Sequence, residues 1–120
     1  MSGAGQANGL DGLISGLEVL GAKPAVEVNV LCFTVKATSG FLAGVEVRSG
    51  IDVEETGSWP LIPPHWVHFP DSVEFQTTNA QASSKEGWLK HSRNIVSWGD
   101  ARDPAQSWLS HVRAVLRDAR

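Results

Sequence analysis

Hydrophobic and polar positions change period several times along this chain, and each period predicts an element. Leu10, Leu13, Ile14, Leu17 and Leu20 follow the spacing of one helical face. Asn8 stands where an N-cap belongs and Gly21 where a helix stops. Gly12 and Gly16 each cost such a helix about 1 kcal/mol relative to alanine, so it depends on tertiary packing. Lys23-Pro24 breaks it. From Ala25 to Thr38 the chain is rich in β-branched residues. Val26, Val28 and Val30 lie on one parity, and Leu31, Phe33 and Val35 on the other. A strand covered on both faces, or bulged near Cys32, accommodates that shift. Ser39 to Gly44 supply a turn. Val45, Val47, Ser49, Ile51 and Val53 then alternate with Glu46, Arg48, Gly50, Asp52 and Glu54. That pattern predicts a half-buried antiparallel strand with one wet face.

Periodicity disappears from Trp59 to Phe69, where eleven residues hold three prolines, two tryptophans, two histidines and a phenylalanine. Each proline fixes φ, removes a backbone donor and drives its predecessor towards extended conformations. The segment is a stiff, non-helical elbow. An aromatic residue before Pro60 is compatible with a cis peptide, which costs an X–Pro bond only about 0.5–1 kcal/mol. Trp66 to Phe69 has the composition of a short strand. Asp71-Ser72 breaks the chain, and Val73 to Phe75 adds a few extended residues. Thr77 to Gly87 is polar and predicts a surface loop. Trp88-Leu89 and Ile95 to Trp98 are apolar footholds around Lys90 to Arg93, and Gly99 to Arg102 form another loop. The last helix is the clearest element: Asp103 caps it, Pro104 opens it and Gln106 completes a box-like pair. Trp108, Leu109, Val112, Val115, Leu116 and Ala119 make its apolar stripe. Arg113, Arg117 and Arg120 stand at the end where the helix dipole favours cations.

Helix, antiparallel strands, elbow, loop and helix in that order predict an α+β domain with a C-terminal helix packed on a β-meander. The 120 residues suit one domain, spanning residues 9–120, with residues 1–8 read as a flexible leader. Net charge is −3, which gives no global reason to expect nucleic acid. Residues 1–84 hold three basic and nine acidic side chains, whereas residues 85–120 hold seven basic and four acidic. A single cysteine, Cys32, rules out a disulfide framework and points to a reducing, cytoplasmic setting. No apolar run has the length of a membrane span.

The elbow resembles the Tyr-Pro-x-x-Pro-Pro-x-Val-x-Phe signature of ubiquitin-conjugating enzymes and, more loosely, of their catalytically dead variants and RWD domains. Here Trp59, Pro60, Pro63, Pro64, Val67 and Phe69 carry it, with Trp replacing Tyr. The resemblance covers roughly residues 9–119, including Trp98 and the Pro-led helix, though only the elbow matches at motif grade. It implies that Trp59 packs beneath the elbow. It also implies a cysteine after the elbow that carries a modifier as a thioester, beside a His-Pro-Asn tripeptide whose Asn steadies the oxyanion.

That chemistry is missing. Thr77 to His91 contains Thr78-Asn79 but no His-Pro and no cysteine, and Cys32 lies in an apolar strand ahead of the elbow. The expectation is a non-catalytic protein-binding module that holds a ubiquitin-like modifier, an activating enzyme or a conjugating enzyme. Trp66, Trp88, Lys90 and Arg93 are its candidate contact residues. An enzyme with a non-cysteine nucleophile among Ser83 to Ser92 is the alternative. For that reading Ser83, Ser84, His91 and Ser92 are candidates and Asn79 is the oxyanion donor. A structural subunit of a larger assembly is the third. No cofactor is called for, and the four histidines lack metal-ligand spacing.

Overall fold

The computed structural model describes residues 8–75, 79–95, 98 and 103–120. The leader before Asn8, the Gly99–Arg102 loop, Thr77-Thr78 and Val96 lie outside the described residues. The fold is α+β: an N-terminal helix, a six-stranded antiparallel sheet and a C-terminal helix.

Helix α1 spans Gly9–Val19 and buries Leu13 and Leu17. Asn8 occupies the N-cap position, but its side chain makes no capping bond. The Gly9 N–H donates instead to the Trp59 carbonyl at 2.9 Å. At the other end Gly21, with φ +73°, donates to Glu18 O, and Ala22 donates to Leu17 O, both at 3.0 Å. This pair of bonds is the Schellman arrangement, which a glycine at positive φ makes possible. Gly16 lets the two helices meet, since a Cβ there would lie 2.7 Å from the Ala105 Cβ.

The predicted single strand from Ala25 to Thr38 is instead a hairpin. Strand β1 is Ala25–Glu27 and β2 is Val30–Lys36, turning at Val28-Asn29 with Val28 at φ 58°. A two-residue turn pairs Val26 with Leu31, so residues of opposite parity share a face. The apolar shift at Leu31 is therefore a chain reversal, not a bulge. Strand β3, Glu46–Asp52, pairs with β2 along its length; Val53 and Glu54, expected in the strand, begin a 3-10 turn, Val53–Thr56.

Strand β4 is Trp66–Pro70. The expected surface loop after Thr77 contains an exposed edge strand, β5 (Ala80–Ala82), and the foothold at Trp88 opens β6 (Trp88–Ser92). Short polar strands escape periodicity because neither face of β5 is buried. Strand order is β1-β2-β3-β4-β6-β5. Helix α2, Pro104–Leu116, begins as predicted: the Asp103 carboxylate accepts the Gln106 N–H at 3.2 Å. Trp108, Leu109, Val112, Val115, Leu116 and Ala119 are all buried.

Register sorts the sheet into two faces. Leu31, Phe33, Val35, Val47, Ile51, Val67 and Phe69 share the face that meets Leu13, Leu17 and the α2 stripe in one core. The opposite face carries Val30, Cys32, Gly50, His68, Lys90, Trp66 and Trp88. Gly50 was expected on a wet face, but it is buried: a Cβ there would sit 2.6 Å from Val30 Cγ1 and 3.5 Å from the Trp88 ring. Strand β2 is thus covered on both sides.

Gly40, at φ +82°, lies against the Arg117 carbonyl, with which an added Cβ would collide, whereas Gly57 faces open space. Gly40→Ala is expected to cost about 1–3 kcal/mol in urea unfolding. Gly57→Ala should move stability by no more than about 1 kcal/mol, and in the stabilising direction.

Candidate functional site

The elbow is built from the inside out. Trp59 is 3% exposed, and its indole meets Trp98 with ring centroids 5.4 Å apart. The Trp98 Nε1–H donates to the Pro60 carbonyl at 2.8 Å. The Trp59–Pro60 peptide is cis. Pro64 is buried, Val67 and Phe69 enter the core, and Leu61 and Ile62 are left 81% and 57% exposed. The Glu55 carboxylate accepts the His65 N–H at 3.1 Å and the Trp66 N–H at 3.3 Å, clamping the elbow's exit to the 3-10 turn. Burial pushes the Glu55 pKa up, and these two bonds pull against it. Between turn and elbow lies an open groove of about 340 Å³, lined by Glu54, Glu55, Ser58, Ile62, Pro63 and His65. A rigid turn thus presents two aliphatic side chains beside two carboxylates.

The open sheet face holds three of the four residues expected to meet a partner. Lys90 Nζ stands 5.0 Å from the Trp66 ring centre, and Lys85 Nζ 5.4 Å from that of Trp88. The Ser83–Gly87 turn reaches across this face, where Lys85 pairs with Glu27 at 2.8 Å. Arg93 does not join them. It bonds Asp118 at 3.1 Å and lies over Phe75, on the helix side.

Of the candidates for a non-cysteine chemistry, Ser84, His91, Ser92 and Asn79 do not converge on one face. Ser84 is exposed, its hydroxyl 3.5 Å from an Asp52 carboxylate oxygen. His91 points into the core between Phe75 and Phe69, with ring centroids at 4.5 and 5.7 Å. Ser92 lies on the open face, 2.5 Å from His65 Nε2, and the Asn79 carbonyl accepts its backbone N–H at 3.0 Å. Cys32 is fully buried, and burial, followed by the nearby Glu27, raises its thiol pKa. A thiolate nucleophile is therefore unavailable there.

Sequence reasoning named Ser83 but missed the two residues grouped with it, His68 and Asp52. His68 is fully buried, its Nδ1 lies 2.7 Å from Ser83 Oγ, and its Nε2 lies 3.4 Å from Asp52 Oδ2. Lys90 Nζ approaches the same carboxylate oxygen at 3.8 Å. The signal in the sequence was slight: His68 breaks an otherwise apolar strand. Among the described residues no cluster of three or more His, Cys, Asp or Glu is arranged to hold a metal, and no helix is long and apolar enough to cross a membrane. No protein-family model, curated protein or solved structure matches this chain.

Burial, reinforced by the charge of Arg93, lowers the pKa values of His91 and His111 to about 4 each. The unfolded chain then binds more protons between about pH 6.5 and 4, so stability falls as pH drops through that window. The loss from His91 is on the order of 3 kcal/mol. Urea midpoints measured at pH 7 and pH 4 should show this fall; a flat or rising profile would contradict it.

Proposed function

We propose that this protein is a ubiquitin-conjugating-enzyme-like binding module without conjugating chemistry, which docks a protein partner through its elbow. The observation that carries this reading is the braced elbow itself. Trp59 and Trp98 hold its underside while Leu61 and Ile62 project from it. Adjacent apolar groups exposed on a rigid support form a candidate interaction patch. Prior ordering matters because a loop that is already fixed loses little entropy on binding.

The absence of a cysteine after the elbow supports a holding role rather than a thioester one. Glu54 and Glu55 beside Ile62 favour a partner segment that carries a lysine or arginine next to an aliphatic residue. Within the pathway implied by the resemblance, that partner is a ubiquitin-like modifier, an activating enzyme or a conjugating enzyme.

Each of these three proteins, titrated into isotope-labelled protein, tests the reading. One of them should shift the amide signals of Leu61, Ile62 and His65 saturably. Leu61→Asp with Ile62→Asp should weaken that complex at least tenfold, or by about 1.4 kcal/mol, and added salt should weaken it further. Perturbation by none of the three, or binding that survives the double substitution, would rule the elbow out.

A further inference from the structure

We propose that Ser83, His68 and Asp52 form an activated-serine site that accepts the acyl group of a carboxylic ester or thioester. The site is independent of the elbow, and its chemistry follows from the arrangement of protons. The Ser83 hydroxyl oxygen accepts the Lys85 N–H at 3.0 Å, which leaves its own hydrogen to donate. The acceptor is His68 Nδ1 at 2.7 Å. His68 Nε2 makes no hydrogen bond, but the Asp52 carboxylate 3.4 Å away favours hydrogen on that nitrogen, which leaves Nδ1 to accept. Serine, imidazole and carboxylate then stand in the order that nucleophilic catalysis uses, and a long outer contact is common before substrate binds.

Burial keeps the His68 pKa below its usual value. Asp52 opposes this, and Lys90 on β6 adds to it. The imidazole is therefore neutral at pH 7 and able to take a proton. His91, its neighbour in charge on the other side of the sheet, is neutral as well. Ser83 is half-buried on the turn that covers His68.

In the step itself, Ser83 Oγ bonds to the acyl carbon as its proton passes to His68 Nδ1. The carbon–oxygen or carbon–sulfur bond of the donor breaks, and the departing alcohol or thiol takes that proton. Water then attacks the Ser83 ester by the same route, giving the free acid and restoring the hydroxyl. Asp52 keeps the ring oriented throughout and is a positioning residue.

A fluorophosphonate probe and p-nitrophenyl acetate, applied to the full chain, test this. Ser84 is the internal control: it occupies the same turn and is exposed, but has no imidazole contact. Mass spectrometry should find the phosphonyl group on Ser83 at least about 100-fold ahead of Ser84. Ser83→Ala should abolish labelling and ester turnover without altering the circular dichroism spectrum. Asp52→Asn should slow labelling and shift its pH profile, an effect that a merely structural Asp52 would not produce. Absent labelling, equal labelling of Ser83 and Ser84, or turnover that survives Ser83→Ala would each overturn the proposal.

Discussion

The burial of Trp59 beneath its own proline turn is the contact on which the rest of this molecule depends. A fully buried large apolar side chain contributes roughly 1.5–3 kcal/mol, and this one also sets positions. Its carbonyl receives the first N–H of α1, and its indole supports Trp98, whose own N–H returns to Pro60. The elbow, the start of the first helix and the position of Trp98 are therefore set by one side chain and its peptide. Elsewhere a helix N-terminus of this kind would use its N-cap side chain. Here the Asn8 side chain makes no such bond, because a backbone acceptor from the elbow has taken its place.

The second constraint is a sheet closed on both sides over β2 and β3. Helices cover one face. The Ser83–Gly87 turn and the Trp88 indole cover part of the other, over Gly50. The Lys85–Glu27 pair that ties this turn down is partly exposed, and such pairs contribute about 0–1 kcal/mol. The indole over Gly50 is the stronger anchor, and the ion pair sets direction. Excluding water from this strip leaves His68 dry enough to remain neutral beside a carboxylate. Ser83 Oγ satisfies His68 Nδ1 and the Lys85 N–H, while His68 Nε2 has only the 3.4 Å approach of the Asp52 carboxylate.

These two constraints separate two possible roles. The elbow is rigid and partly apolar, which suits recognition of a protein. The strip around His68 is polar and ordered, which suits proton transfer. Cys32 serves neither, because it is sealed within β2. The resemblance to conjugating enzymes rests on the residue order of the elbow alone, and no cysteine follows that turn.

Local chemistry in the sequence was enough to define both helices, the elbow, extended chain between Ala25 and Thr38, the strands at Glu46 and Trp66, and the α+β class. Capping residues, prolines and the stripe from Trp108 to Ala119 act over a few residues and need no partner to be read. Cys32 was legible as buried for the same reason, since its neighbours are apolar on both parities. The Val28-Asn29 reversal was not legible, because a left-handed β-branched residue is disfavoured locally and tolerated only under the constraint of pairing on both sides. Edge strand β5 buries neither face and so leaves no periodicity. Above all, the meeting of Asp52, His68 and Ser83 joins the end of β3, the middle of β4 and the turn after β5, which lie far apart in the chain. No local pattern encodes that meeting; register across β3, β4 and the β5–β6 turn decides it.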